Sequence, residues 1–179
     1  WEQMQYTVAT SETPLSITFA EVASNNHFFL DRGGNIFKQT SPVLKLRPEA
    51  TLETHYGLLG ILNSSVSCFW LRRIAQPKGG AADITWLRTY QYSGKSVESL
   101  PVPDLLPAEI TMKLDELAQE LLESSPSQVV SALEISPADA DLDQFKSKYE
   151  SLRRRMISYQ EELDWQSYYL YGLTSQPLT

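Results

Sequence analysis

Cysteine, histidine and long apolar runs are scarce in this 179-residue chain, and each scarcity excludes a class of protein. The single cysteine, Cys68, excludes an intramolecular disulfide and a cysteine-rich zinc site, and its apolar surroundings predict a buried thiol. Only His27 and His55 offer an imidazole for acid–base or metal chemistry. No apolar run reaches the roughly 18–20 residues that cross a bilayer, so we expect no membrane partner. The start at Trp1 has no basic leader, so we expect a cytoplasmic protein.

Catalytic signatures are missing as well. His27, Asp31 and Cys68 can be drawn as a nucleophilic triad, but neither their spacing nor a local signature supports that chemistry. The carboxylates within residues 161–164 lie on a predicted helix, where such a cluster is usually a solvated face. The two Gly-Gly pairs lack the strand–helix context of a phosphate-binding loop. We therefore expect neither catalytic activity nor a metal site in this chain by itself.

Negative charge is unevenly distributed along the chain, which has a net charge of −7. Residues 1–103 carry nine Lys and Arg against eight Asp and Glu, whereas residues 104–179 carry six against fourteen. The acidity therefore belongs to the second part. A nearly neutral first part can place a few positive loops on phosphates, although its long-range attraction for DNA is weak. The net charge consequently does not exclude a nucleic-acid partner.

Residues 15–46 have the composition of short strands. Runs rich in β-branched and aromatic side chains are separated by turn signals at Asn25-Asn26 and at Arg32–Asn35. Glycine in the second signal permits the positive φ that tight turns need. Several short strands joined by tight turns predict a small antiparallel or mixed sheet.

Residues 51–73 predict a largely buried helix, because apolar side chains occur on most of its sides. Thr51 is a suitable N-cap, and Arg72-Arg73 suit the C-terminal end of the helix dipole. The polar triplet at 63–65 could divide the segment into two helices. Pro101–Pro103 cannot continue a helix or a central strand, so we place the end of the first domain there.

Helical periodicity dominates the second part, residues 104–179. Ser125-Pro126 and Ser136-Pro137 each resemble a helix start, with serine as N-cap and proline in the first turn. The last helix has a heptad seam whose steps alternate between four and three residues: Phe145, Tyr149, Leu152, Met156, Tyr159 and Leu163. The seam predicts packing against a partner helix in the same chain or in another. The fold class is therefore α+β, a small sheet with a buried helix followed by a C-terminal helical region.

Polar and basic residues at the predicted turns are candidates for DNA contact. Base edges are read by short polar side chains and by arginine or lysine, which also bind phosphates. The candidates are Asn25, Asn26 and His27 at one turn, Lys38 and Gln39 nearby, Lys78 and Gly79 in a glycine loop, and Arg88 and Tyr90 behind it. For each residue taken alone, a solvated turn or a surface charge is the better interpretation.

Several segments resemble BREX-type phage-defence adenine methyltransferases and their type IIG restriction–modification relatives in bacteria. They are the run HFFLDRGGNIFKQTSPVLKL at His27–Leu46, the helix LLGILNSSVSCFW at Leu58–Trp70, the KGG loop at Lys78, the SLPVP exit at Ser99–Pro103 and the ending EELDWQSYYLYGL at Glu161–Leu173. Together they cover most of the chain and keep the order found in that family. The loop after Lys78 is shorter than the glycine-rich insertions of many relatives.

The resemblance implies a target recognition domain at residues 1–103, with its beginning missing before Trp1, followed by the C-terminal helical region at residues 104–179. Such a domain positions double-stranded DNA for methylation of adenine N6. The catalytic methyltransferase domain, in which S-adenosylmethionine binds, would be a different part of the same polypeptide, so we expect no cofactor in this chain. The alternative is a helical scaffold that docks the catalytic domain or a partner subunit.

Overall fold

Two small antiparallel sheets and five helices make up the described part of the chain. The computed structural model describes residues 15–33, 35, 37–38, 40–79, 88–125, 127–128 and 139–176. The strands are β1 (Ser16–Phe19), β2 (Val22–Ala23), β3 (Phe28–Asp31), β4 (Val43–Leu44), β5 (Gln76–Pro77) and β6 (Tyr90–Gln91). The helices are α1 (Leu52–Asn63), α2 (Ser65–Ile74), α3 (Gly94–Glu98), α4 (Ala108–Glu123) and α5 (Asp139–Leu170). The predicted α+β class is confirmed.

The first sheet has the order β3-β1-β4, and both of its pairings are antiparallel. All four residues of the central strand β1 are buried, with Ile17 opposite Leu30 of β3 and Leu44 of β4. The Phe19 and Phe28 rings lie 4.9 Å apart between centroids, which closes the sheet over the core. Apolar residues of α1 cover this sheet, so the strand-rich segment and the buried helix form one core.

The predicted division of the helical segment near residues 63–65 is confirmed, because α1 ends at Asn63 and α2 begins at Ser65. Ser64 has an extended backbone, and its side-chain oxygen accepts a hydrogen bond from the Ser67 N–H, which caps α2. Thr51 caps α1 in the same way by accepting from the Thr54 N–H at 3.1 Å. Local serine and threonine chemistry therefore sets the starts of both helices.

Close packing between α1 and α4 depends on Gly60. A Cβ atom on this residue would lie 2.1 Å from the Thr111 side-chain oxygen and 3.1 Å from a Pro107 ring carbon. It would also lie 3.3 Å from a Leu163 methyl group on α5. Because Gly60 has no side chain, α1, α4 and α5 pack closely around this position. This junction joins the C-terminal helices to the first part of the chain.

The heptad seam of the last helix is buried in part against α4 of the same chain. Leu152 and Leu163 are buried, and the other four seam residues are partly buried. The structure thus supplies an intramolecular partner helix for the seam. Of the two predicted serine–proline helix starts, Pro126 and residues 136–137 lie outside the described residues.

Candidate nucleic-acid interface

The second sheet gathers polar residues that are far apart in the sequence. Its order is β2-β6-β5, with Tyr90 of β6 paired to Ala23 on one side and to Pro77 on the other. Each strand has only two residues, so the segments that flank the strands lie next to one another. The predicted candidates Asn25, Lys78 and Tyr90 are therefore brought to one edge of the protein.

Arg72, near the end of α2, holds the Asn25 turn against this edge. Its guanidinium donates to the Ser24 carbonyl oxygen at 2.7 Å and to the Asn25 side-chain oxygen at 2.6 Å. The same guanidinium lies 5.6 Å from the centroid of the Tyr90 ring, within the range of a cation–π contact. Arg72 thereby orients an exposed amide and an aromatic ring together. We call Asn25, Arg72 and Tyr90 the arginine cluster.

Lys78 lies on the same edge, beside Glu21. Its ammonium nitrogen is 4.0 Å from a Glu21 carboxylate oxygen, to which the Gln91 amide also donates at 2.6 Å. The Lys78 side chain is 52% exposed, so water screens this ion pair and its contribution to stability is small. Gly79 follows with a φ of +79°, which turns the loop back toward Thr89. The lysine therefore retains access to an anion in solvent.

The remaining cationic candidates, Lys38 and Arg88, are close in sequence to residues that hydrogen-bond to Glu21 or Lys78. Lys38 is exposed, and the Thr40 carbonyl two residues later accepts from the Glu21 N–H at 3.0 Å. Arg88 is partly exposed and immediately precedes Thr89, whose carbonyl accepts from the Lys78 N–H at 3.0 Å. The predicted contact at Gln39 lies outside the described residues.

Asn26 has a structural environment that the sequence did not indicate. It is only 8% exposed, and its amide nitrogen donates to the Leu62 carbonyl at 2.6 Å and to the Ser64 carbonyl at 3.3 Å. These bonds satisfy carbonyl groups at the end of α1. Asn26 therefore links its turn to the C-terminal end of α1 by hydrogen bonds. Its neighbours Asn25 and His27 are exposed.

An open groove of about 510 Å³ begins beside this turn. Its lining residues include Asn25 and His27 of the turn and Met156 and Gln160 of α5. Cys68 also lines the groove and is partly exposed, so the prediction of a buried thiol was wrong.

Sequence patterns did not identify Arg72 or Asp164 as contact residues. Arg72 was interpreted only as a favourable charge at a helix end, because nothing in the local sequence relates it to a turn 47 residues earlier. The carboxylates at 161–164 were interpreted as solvated. Glu161 and Glu162 are exposed, but Asp164 accepts a hydrogen bond of 2.7 Å from the Ser65 N–H. For Asp164 that interpretation was wrong.

Tyr92, which follows β6, is almost completely buried. Burial raises the pKa of Tyr92 beneath the second sheet, and the Arg72 guanidinium offsets part of that effect. The phenol therefore stays neutral at physiological pH. Among the residues that the structure describes, no three His, Cys, Asp or Glu side chains are grouped closely enough to hold a metal ion. The helices described are all too short or too polar to cross a membrane.

Fold and site together define a mixed α+β protein with an exposed polar and cationic edge. No family model matches the chain. It is similar to the adenine-specific methyltransferase PglX of Streptomyces coelicolor, with 40% identity over 187 aligned residues. The alignment covers 99% of this chain but 15% of the methyltransferase. The chain is thus homologous to a portion of that protein and spans only a small fraction of its length.

Proposed function

We propose that this chain is the sequence-specific DNA recognition module of an adenine-N6 methyltransferase, in a restriction–modification or phage-defence system. The observation that carries the proposal is the similarity of nearly the whole chain to a portion of an adenine-specific methyltransferase. The catalytic domain, with its S-adenosylmethionine site, would be another part of the same polypeptide. This chain would hold double-stranded DNA in register for that domain.

The geometry supports distinct roles for two groups of residues. Asn25 and Arg72 carry the amide and guanidinium groups that read base edges, and their mutual hydrogen bond orients both before DNA arrives. Lys38 and Lys78 are exposed point charges suited to phosphates, which position the protein without reading sequence. His27 lies at the rim of the groove, where a base edge could approach it. The edge thus combines both kinds of contact.

The test of this proposal is binding of the 179-residue chain to duplex DNA, followed by fluorescence anisotropy across a salt titration. We expect affinity to fall steeply with salt, because each phosphate contact releases counterions. Lys38→Ala and Lys78→Ala should each reduce the slope of log K against log salt by about 1. Lys113→Ala, an exposed lysine on α4, removes the same charge elsewhere and serves as the matched control.

Base reading requires a second measurement, namely competition among duplexes of different sequence. Asn25→Ala should alter which duplexes bind best, whereas Lys78→Ala should weaken all of them alike. A wild-type chain that binds no DNA at low salt, alone and within a full-length methyltransferase carrying this segment, would overturn the proposal. Unchanged binding for both lysine variants would overturn the assignment of the phosphate contacts.

A second candidate function, a scaffold that docks the catalytic domain or a partner subunit, is favoured by exposed apolar side chains on α2. Phe69 is 69% exposed, and Trp70 and Ile74 are also exposed on this ten-residue helix. Adjacent exposed aromatic and aliphatic groups are typical of protein interaction sites. Phe69→Ser should weaken association with a separately produced catalytic domain if the scaffold function is correct. Equal association of the variant and the wild type with the catalytic domain would count against the scaffold function. DNA recognition and the scaffold function can coexist in one chain.

A further inference from the structure

The long helix α5 carries a basic segment that contrasts with the acidity around it. Residues 146–155 contain five cationic side chains, at Lys146, Lys148 and 153–155, and a single carboxylate at Glu150. The rest of residues 104–179 carries one lysine and thirteen carboxylates. Positive charge is therefore concentrated in ten residues of an otherwise acidic helical region.

All five cationic side chains of this segment are exposed. Both ion pairs found in the described part of the chain lie elsewhere, at Arg32–Asp115 and Lys78–Glu21. Glu150 lies at helical neighbour spacing from Lys146, Arg153 and Arg154, so this one carboxylate offsets only a part of the positive charge of the segment. The remaining net positive charge would attract a polyanion such as DNA. The segment thus has the charge and exposure of a phosphate contact.

Helical spacing divides the segment into two flanks of the apolar seam. Lys146 and Arg153 are seven residues apart and lie in one row with Gln160, whereas Lys148 and Arg155 lie on the opposite flank. Gln160 faces the first part of the protein, because its amide donates to the Asn63 carbonyl at 3.3 Å. It also lines the groove at which Asn25 and His27 are found.

The row of Lys146, Arg153 and Gln160 consequently begins at the groove and extends away from it along α5. Each seven-residue step advances about 10.5 Å along a helix axis. Arg153 therefore lies about 10 Å, and Lys146 about 21 Å, from Gln160 along α5. Helical spacing therefore places both cations on the flank of α5 that carries Gln160.

We propose that Lys146 and Arg153 form a second DNA contact, which holds the phosphate backbone of the duplex beside the recognised bases. This inference rests on the proposed function and adds a partner surface outside the residues 1–103. The contact reads no base, because lysine and arginine spaced along an exposed helix row match phosphate charge rather than one base edge. Its effect is on affinity and on the register of the enzyme along the duplex.

The experiment compares two double variants with equal charge change on the same helix. Lys146→Gln with Arg153→Gln removes the proposed row, and Lys148→Gln with Arg155→Gln removes the opposite flank. Glutamine retains a long aliphatic stem and good helix propensity, and circular dichroism with thermal unfolding verifies the fold of both variants. Duplex binding of the 179-residue chain is then measured by anisotropy at several salt concentrations.

We expect the first double variant to reduce the slope of log K against log salt by about 1.8, which is two phosphate contacts at about 0.9 each. Its affinity in about 0.1 M salt should fall at least tenfold, with the order of preferred sequences unchanged. The second double variant should keep the wild-type slope. Lys38→Ala and Lys78→Ala report separately on the first contact.

Three outcomes would overturn the inference. Equal losses in both double variants would indicate a general electrostatic field instead of a directed row. No loss in either, with the wild type still binding DNA, would remove the second contact and leave the proposed function intact. Weaker association with a separately produced catalytic domain, with DNA affinity unchanged, would assign the row to an acidic protein surface. A wild-type chain that binds no DNA, alone and within a full-length methyltransferase carrying this segment, would instead overturn the proposed function itself.

Discussion

The carboxylate of Asp164 on α5 accepts a hydrogen bond of 2.7 Å from the backbone N–H of Ser65, the first residue of α2. Next to it, the Ser65 hydroxyl donates to the Tyr168 hydroxyl at 2.8 Å. The N-terminal end of a helix has unpaired N–H groups and a partial positive charge, so a carboxylate there is stabilising. A residue near the end of the chain therefore caps a helix that borders the candidate DNA edge.

We expect Asp164→Ala to lower the free energy of unfolding by about 1–2 kcal/mol, because it removes both a capping acceptor and a charge suited to the helix dipole. Glu161→Ala removes an exposed carboxylate from the same helix and is the control. Urea denaturation of the two variants and the wild type measures the difference. Equal stabilities for both variants would show that the Asp164 cap contributes nothing.

Gly60→Ala should be destabilising by about 1–3 kcal/mol, because its methyl group meets the Thr111 side-chain oxygen and the packed elements must move apart. Without this contact, alanine would be the better residue in a helix. Combining Gly60→Ala with Thr111→Ala should recover part of the loss, and a double-mutant cycle of unfolding free energies measures the coupling. Strictly additive effects would argue against a direct clash.

Leu163→Ala should cost about 2–5 kcal/mol of unfolding free energy, because the side chain is 1% exposed and its loss leaves a cavity at the α1–α4–α5 junction. Ile157→Ala on the same helix removes a side chain that is 50% exposed, so it should cost much less. Thermal and chemical unfolding of both variants provide the comparison. A larger effect at Ile157 would indicate that the exposed side of α5 is covered, for instance in an oligomer.

Arg72→Lys should weaken DNA binding although it preserves the charge. Lysine cannot donate to the Ser24 carbonyl and the Asn25 amide oxygen with the planar geometry of a guanidinium, so the Asn25 turn loses its orientation. The neighbouring Arg73→Lys is the control, since Arg73 contacts only the Phe69 ring among the interactions identified in the described residues. Anisotropy on the preferred duplex should separate the two variants, and equal affinities would contradict the positioning role of Arg72.

Alkaline stability should depend on Tyr56. Its burial and the nearby Asp115 carboxylate raise the pKa of the Tyr56 phenol above the usual 10.0. The folded state thus holds this proton more tightly than the unfolded chain, so the stabilisation is present below pH 10 and is lost as pH rises through the folded pKa. The free energy of unfolding should fall more steeply above pH 10 in the wild type than in Tyr56→Phe. Tyr169→Phe, at an exposed ring, is the control, and parallel curves for all three proteins would contradict the expectation.

Much of the fold was predictable because its signals are local. Ser64 and Thr51 cap helices through bonds to residues three positions later, which is a distance that sequence patterns cover. The heptad seam of α5 was predictable for a similar reason, since its period is set by the helix itself. The candidate site was only partly predictable. Asn25, Lys78 and Tyr90 were identified by residue type, but Arg72, which orients two of them, was not.

By itself, the sequence determined the α+β class, the division between α1 and α2, the apolar seam of α5 and the concentration of positive charge in that helix. Each depends on composition or on periods of a few residues. Only the tertiary structure decided that Asn26 is buried, that Asp164 caps a distant helix and that Gln160 of α5 lines the same groove as Asn25. These outcomes depend on which surfaces the shared core brings together, and contacts over long sequence separations leave no local pattern.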